Sequence, residues 1–198
     1  EKIALVTGGG RRGGRAIALE LAKRGANVII HYYHSADAAA ELVQRIQKMG
    51  RRAWSFRADL RKVREINRLV SRIRSTCGPV DLLINNAADF YKTPFSKISE
   101  KDWDHFFDTN LKGPFFLSQI IGRQMKRRGG GVIINVADWA GVHLYRHYLP
   151  YSLSKAGLIA ATKGLARALG PQVKVCALAP RRLKGFTELA AAVVGLLE

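Results

Sequence analysis

The sequence predicts a doubly wound α/β fold, a parallel sheet with helices on both faces, and three observations predict it. Six short apolar runs alternate with stretches of helical spacing along the 198 residues. Within those runs the residues are apolar at successive positions rather than at every second one, which is the pattern of strands buried on both faces. The first run, Ile3-Ala4-Leu5-Val6, passes directly into a glycine-dense turn and then into a helix. Strand, glycine turn and helix together form an anion cradle, because backbone N–H groups and the positive end of the helix dipole converge where glycines let a ligand approach. Thr7, Gly8 and Gly14 fit T-G-x-x-x-x-x-G rather than the more familiar G-x-G-x-x-G.

The elements follow in order. The first helix carries Ile17 and Leu21 on one face and stops at Gly25. Ala26 to Tyr32 is a second strand, and Ala36 to Met49 is a helix with Leu42, Val43, Ile46 and Met49 at helical spacing. Arg52 to Arg57 is a short strand, followed by a helix bearing Val63, Ile66, Leu69, Val70 and Ile73 that Gly78-Pro79 breaks. Val80 to Asn85 is the fourth strand. Ser99 to Asp102 resembles a capping box that opens one long helix running from 102 to Met125. Val132 to Val136 is a fifth strand, Leu144 to Pro150 a loop, Tyr151 to Leu169 a helix, Val173 to Leu178 a sixth strand, and Thr187 to Leu197 a last helix.

A chain with 47% hydrophobic residues can bury a sizeable core, and its length favours one domain. No apolar run reaches membrane-spanning length and no secretory pattern opens the chain, so the expectation is a soluble cytoplasmic protein. Cys77 and Cys176 stand far apart, in a helix end and a strand, and read as buried thiols. His143 and His147 are four apart but lie in a predicted loop with no third ligand, so no metal site is expected. The 33 Lys and Arg against 15 Asp and Glu give a formal charge of +18. They are scattered over every segment: Arg123, Lys126, Arg127 and Arg128 suit a helix C-terminus, and Arg61, Lys62, Arg64, Arg68, Arg72 and Arg74 read as a solvated helix face. A solvated surface, not a nucleic-acid site, is expected.

Ligands of doubly wound folds bind beyond the carboxyl ends of the strands, where strand order reverses. Thr7 to Gly14, Asp59, Asn85 to Ala88, Asp138 and Pro180 each follow a strand, so one sheet edge gathers them. Tyr151 and Lys155 lie one helical turn apart on one face. A free tyrosine has a pKa of about 10; an adjacent ammonium is expected to lower it and make the phenol a usable proton donor.

In order, the pieces TGGGRRGG, Asp59, NNAA at 85–88, Asn110 in TNLKGPFF, a polar residue at 138, and Tyr151 with Lys155 resemble the short-chain dehydrogenase/reductase family over nearly the whole chain. The resemblance implies a Rossmann fold, with residues 1–198 as one NADP-binding domain, and a nicotinamide dinucleotide. Tyr151 would be the acid, Lys155 would hold the nicotinamide ribose and lower the tyrosine pKa, and Asn110 would order a water beside that lysine. Asp59 would meet the adenine, with Gly8, Gly14, Leu60, Asn86, Ala87 and Pro180 around the cofactor. It also implies a homotetramer through helices 102–125 and 151–169, where Ala156, Gly157, Ala160 and Ala161 permit close packing.

The cofactor is expected to be NADP(H). NAD enzymes often carry an acid at the end of the second strand, where this chain has His31-Tyr32-Tyr33-His34-Ser35; Arg11, Arg12, His34 and Ser35 offer partners for a 2′-phosphate. Two departures from the family pattern, Arg12 for the usual glycine and Asp138 for the usual serine, look like pteridine reductases, as does Phe90 in NNAADFY. Phe90 would then stack a pterin and Asp138 would pair with ring nitrogens or help deliver a proton. Gly13 stands where relatives usually have an aliphatic residue, and Arg181 where they have glycine. Relatives also have a substrate-covering segment after the proline and a seventh strand. Neither follows Pro180 here, and the expectation is that both belong to the full protein, since a site without its cover would stay wet. Reduction of pteridines is the expected activity. Reduction of 3-oxoacyl thioesters or other carbonyls is the alternative, and a catalytically idle cofactor- or polyanion-binding protein is a remoter one.

Overall fold

Six parallel strands form the centre of the computed structural model, which describes residues 2–181 and 185–197. They are β1 (Ile3–Val6), β2 (Asn27–Tyr32), β3 (Ala53–Arg57), β4 (Leu82–Asn85), β5 (Gly131–Val136) and β6 (Val173–Leu178). Their order in the sheet is β3-β2-β1-β4-β5-β6, so the winding reverses between β1 and β4. Leu5 pairs with Ile29 on one side and with Leu83 on the other. The helices are α1 (Arg12–Lys23), α2 (Ala36–Lys48), α3 (Val63–Thr76), α4 (Glu100–Phe107), α5 (Gly113–Arg127), α6 (Leu149–Leu169) and α7 (Phe186–Gly195).

Alternation along the strands divides the core into two layers. Leu5, Ile29, Leu83 and Ile133 point to one face and pack with Ile66 and Ile73 of α3, Leu117 and Ile121 of α5 and Leu165 of α6. Ala4, Val6, Val28, Ile30, Ile84 and Ile134 point to the other and pack with Ile17 and Leu21 of α1, Leu42 and Ile46 of α2 and Val193 of α7. The doubly wound architecture expected from the apolar runs is the one observed. Through the sheet runs a buried polar chain: Asn85 Nδ2 donates to Ser118 Oγ and Asn135 Oδ1, each at 2.8 Å, and Asn135 Nδ2 donates to Thr162 Oγ1 at 2.8 Å.

Several local expectations need correction. The predicted helix from 102 to Met125 is interrupted at Asp108–Lys112 by a wider π turn. Pro114 removes the N–H that would bond the Asn110 carbonyl in an α-helix. The Asn110 side chain is drawn away to the Asp89 backbone, accepting its N–H at 3.0 Å and donating to its carbonyl at 3.2 Å. Helix α6 starts at Leu149, two residues before the expected Tyr151, because Pro150 sits in the first turn, where a missing N–H costs nothing. Helix α7 runs Phe186–Gly195 rather than 187–197. Arg61 does not belong to the solvated face of α3: it precedes that helix and binds Asp59, while Arg72 lies over the Phe56 ring at 5.2 Å. The capping box is present, with Ser99 and Asp102 bonding each other's backbone N–H. Residues 182–184, in the stretch where a substrate cover was missed, lie outside the described residues. Among the described residues no helix is long and apolar enough to cross a membrane, and Cys77 and Cys176 are free thiols.

The switch point between β1 and β4 is tied by Thr7, whose Oγ1 accepts from the N–H groups of Asn86 and Ala87, both at 2.9 Å. Removing that oxygen leaves the half-buried Ala87 N–H without its partner and the Asn86 N–H with the Ile84 carbonyl alone, at 3.1 Å. Thr7→Val is therefore expected to lower stability by about 1–3 kcal/mol, and Thr7→Ser by less, in urea titrations followed by circular dichroism.

Candidate active site

The glycine turn after β1 is shaped by contacts that only glycine permits. Gly8 has φ +61, and a Cβ on Gly14 would overlap the Gly8 carbonyl. Asn86 braces the turn from behind, its Nδ2 donating to the Thr7 carbonyl at 2.9 Å and to that of Gly8 at 3.4 Å. Arg12 also takes a left-handed conformation, φ +46. A non-glycine residue there stores on the order of 1 kcal/mol of strain, which accounts for the glycine that the family pattern places at this position. Helix α1 opens with no side-chain cap and no acid in its first turn. Its first N–H groups thus have no side-chain acceptor of their own, a fit for a phosphate.

His31 of β2 holds this turn from below. Its carbonyl accepts the Gly9 N–H at 3.0 Å, its Nδ1 accepts the Gly8 N–H at 3.3 Å, and its Nε2 lies 3.0 Å from the Ala58 carbonyl. Since Nδ1 is the acceptor, Nε2 carries the hydrogen and donates to Ala58. Burial pushes the imidazole down to about 4, so the ring is neutral at physiological pH.

A cleft of about 220 Å³ opens at the carboxyl edge of the sheet, lined by Gly8, His31, Tyr33, His34, Ser35, Ala58, Asp59, Leu60, Arg61, Ala87, Ala88, Asp89, His105 and Thr109. Of the sequence-predicted cofactor residues, Gly8, His34, Ser35, Asp59, Leu60 and Ala87 line it directly. Gly14 and Asn86 shape the turn, Arg11 and Arg12 are exposed at the start of α1, and Pro180 follows β6 at the same sheet edge. No acid stands at the end of β2, consistent with a 2′-phosphate there. The carboxylate of Asp59, expected to meet the adenine, lines the cleft and also binds its neighbour: Oδ1 accepts from Arg61 Nε at 2.8 Å and Oδ2 from Arg61 Nη2 at 2.9 Å. Sequence reasoning missed His31, Tyr33 and Arg61; the one signal for them was a histidine inside an otherwise apolar strand.

At the other end of the edge, Asp138, Tyr151 and Lys155 come together. Tyr151 Oη donates to Asp138 Oδ2 at 2.8 Å, and Asp138 Oδ1 accepts the Ala140 N–H at 2.7 Å. The Lys155 ammonium lies 5.8 Å from the Tyr151 ring centroid and donates to the Val136 carbonyl at 2.8 Å. Asn110 reaches neither: its Nδ2 donates to Ser154 Oγ at 3.2 Å, and Ser154 Oγ donates to the Tyr151 carbonyl at 2.6 Å. Phe90 lies flat on Tyr148, centroids 4.6 Å apart, and edgewise to Tyr151 at 4.7 Å, so Tyr148 already covers one of its faces.

The electrostatics reverse one expectation. The ammonium was expected to pull the phenol pKa down; burial first, and then the Asp138 carboxylate, hold Tyr151 above its ordinary value. Lys155 is 3% exposed, and burial lowers it to about 8, with Asp138 opposing the shift. The tyrosine therefore keeps its proton throughout the physiological range, and the lysine is the group near its titration point.

A family model described as short chain dehydrogenase matches residues 2–194. A 3-oxoacyl-[acyl-carrier-protein] reductase FabG from Staphylococcus epidermidis is 38% identical over 180 residues, 90% of this chain and 74% of that protein. Among solved structures, the FolM alternative dihydrofolate reductase 1 from Brucella canis, complexed with NADP, is 30% identical with TM-score 0.91, covering 100% of this chain and 87% of that one. An actinorhodin polyketide ketoreductase variant with NADPH is 26% identical with TM-score 0.93, covering 100% and 90%.

Lys155 makes stability depend on pH. Its ordinary value is 10.5 and its folded value about 8, so between these the unfolded chain binds the extra proton and stability rises with pH. Urea midpoints of the free protein between pH 8 and 10 should climb more steeply for the wild type than for Lys155→Met.

Proposed function

The chain belongs to the short-chain dehydrogenase family, and from that premise we propose that it reduces the 3-oxo group of acyl thioesters or closely related carbonyl compounds. It is an oxidoreductase that uses NADP(H). The observation that carries the substrate proposal is the 38% identity to a 3-oxoacyl-[acyl-carrier-protein] reductase across 90% of the chain.

NADPH, when bound, supplies a hydride; the chain's own residues supply position and a proton. The open start of α1 with the Gly8 turn would hold the phosphates, and the cleft walled by His34 and Ser35 would take the adenosine end. Tyr151 stays protonated until a carbonyl oxygen gaining negative charge draws its hydrogen away from Asp138. The Lys155 ammonium then stabilises the phenolate left behind. Residues 1–198 act on this reading as one NADP-binding domain. Four copies would associate through α5 and α6; exposed Ala160 and half-buried Ala156 and Ala161 suit such packing, whereas Gly157 is closed by Leu111 of the same chain.

One observation favours a second reading, reduction of a dihydropterin. Asp138 offers acceptors where the family's serine offers a donor, and a pterin carries N–H groups that a 3-oxoacyl thioester lacks. The likeness to the FolM structure points the same way.

Initial rates of NADPH oxidation with a 3-oxoacyl thioester and with dihydropterin separate the two. Thioester turnover that persists in Asp138→Ser and falls about a hundredfold or more in Tyr151→Phe supports the first reading. Pterin turnover lost in both variants moves the protein to the second, and no turnover of either refutes both.

A further inference from the structure

Along the chain the cations are scattered, yet the fold gathers many of them at one edge. Helices that link parallel strands run back towards the amino ends of those strands, so helix C-termini collect at the edge opposite the cofactor cleft. Lys23, Lys48, Arg74, Arg127 and Arg167 stand in the last turns of α1, α2, α3, α5 and α6. Acids open helices instead: Asp37, Glu65, Glu100 with Asp102, and Glu188 are in first turns. Helix dipoles favour both placements, but a helix C-terminus carries only about half a negative charge. The end of α5 holds far more than that calls for. Arg123, Lys126, Arg127 and Arg128 are all exposed there, and the chain has no acid between Asp108 and Asp138.

Two grooves flank the end of α5. One, of about 400 Å³, is lined by Arg74, Pro79, Gln124, Arg127 and Arg128; the other, of about 410 Å³, by Arg123, Lys126, Arg127 and Gln172. Their cations are braced by carbonyls rather than neutralised. Arg128 Nη2 donates to the Val80 carbonyl at 2.6 Å, Lys126 Nζ to that of Ala168 at 3.0 Å and Arg127 Nε to that of Arg123 at 3.3 Å. Among the described residues the one acid in contact with them is Asp81, 3.6 Å from Arg128 Nη1. Both grooves sit at helix ends, not along the flanks through which α5 and α6 are proposed to associate.

We propose that this amino edge docks the phosphate backbone of a nucleic-acid duplex, gripped through the two grooves at the end of α5 and separate from the cofactor site. Four of the five groove cations are arginines, whose planar fork matches phosphate oxygens. A membrane surface is a poorer match, because peripheral binding adds inserted apolar side chains to the charge. Of the exposed large apolar residues only Met49 follows a helix end; the others lie between a strand's carboxyl end and the next helix, or in a helix's first turn. The same placement leaves splayed bases no aromatic platform at this edge, so a duplex fits better than a single strand. Contacts of this kind read the backbone and not the sequence.

The test is binding of a short labelled DNA duplex, followed by fluorescence anisotropy, with no carbonyl substrate present, so its outcome is independent of which compound is reduced. The wild type is expected to bind with a dissociation constant of about 10 μM or below at ~50 mM salt. It should lose roughly two-hundredfold in affinity by ~200 mM, a log–log slope of about −4 that corresponds to about four phosphates. Combined Arg74→Gln, Arg127→Gln and Arg128→Gln should lower that slope by about 2 to 3 and weaken binding at least about tenfold at ~50 mM salt. Combined Lys92→Gln, Lys97→Gln and Lys101→Gln removes the same charge from the opposite edge and should change affinity by less than about threefold. Unchanged NADPH affinity in both variants shows that they fold. Saturating NADPH should leave duplex binding by the wild type as it was, whereas a duplex held by Arg11 and Arg12 at the cofactor turn would be displaced. Absence of duplex binding at ~50 mM salt, equal losses in the two variants, displacement by NADPH, or capture by phosphatidylserine vesicles in place of the duplex each overturns the proposal.

Discussion

One hydroxyl fixes where the two halves of the sheet part. The Thr7 side chain takes the N–H groups of Asn86 and Ala87 just where β1 and β4 turn away from each other, and Asn86 in turn braces the glycine turn. That tie, together with the Asn86 amide on the Thr7 and Gly8 carbonyls, sets the separation of the β1 turn from the β4 loop and with it the width of the cleft between them. His31 extends the same logic sideways, carrying the turn onto β2 and, through the Ala58 carbonyl, onto β3. The cofactor edge is thus pinned across four adjacent strands, β3, β2, β1 and β4.

At the reactive end the governing quantity is burial. Tyr151 and Lys155 both lie inside, and each is pushed toward its neutral form: the phenol up, the ammonium down. Asp138 is the one charge that acts on both, raising each, and it is also the only acid between Asp108 and Glu188. In a chain of formal charge +18, this places the single negative group of a long basic stretch against the Tyr151 phenol.

The fold was legible because it is written in local patterns. Runs of apolar residues marked every strand, and Ser99 with Asp102 marked a helix start that the structure shows in full. The meeting of Asp138 with Tyr151 and Lys155 followed from the rule that strand ends gather at one edge. What escaped was decided by tertiary contact. The π turn at Asp108–Lys112 depends on Asn110 finding Asp89 and Ser154, which no spacing announces. Arg61 read as one more solvated arginine until the fold set it between Asp59 and Tyr33. The largest cause of the tyrosine shift was missed for the same reason: spacing gives a neighbour's charge, while burial belongs to the finished structure.

The C-terminal helix leaves its own mark on the phosphate turn. A Cβ on Gly13 would come within 2.6 Å of Leu189 Cδ2, so this leucine of α7 fills the room that an aliphatic residue at position 13 takes in the family pattern. The two positions share one volume. A larger residue at 13 requires the Leu189 side chain to turn aside or to be smaller, which links a cofactor motif near one end of the sequence to a helix near the other.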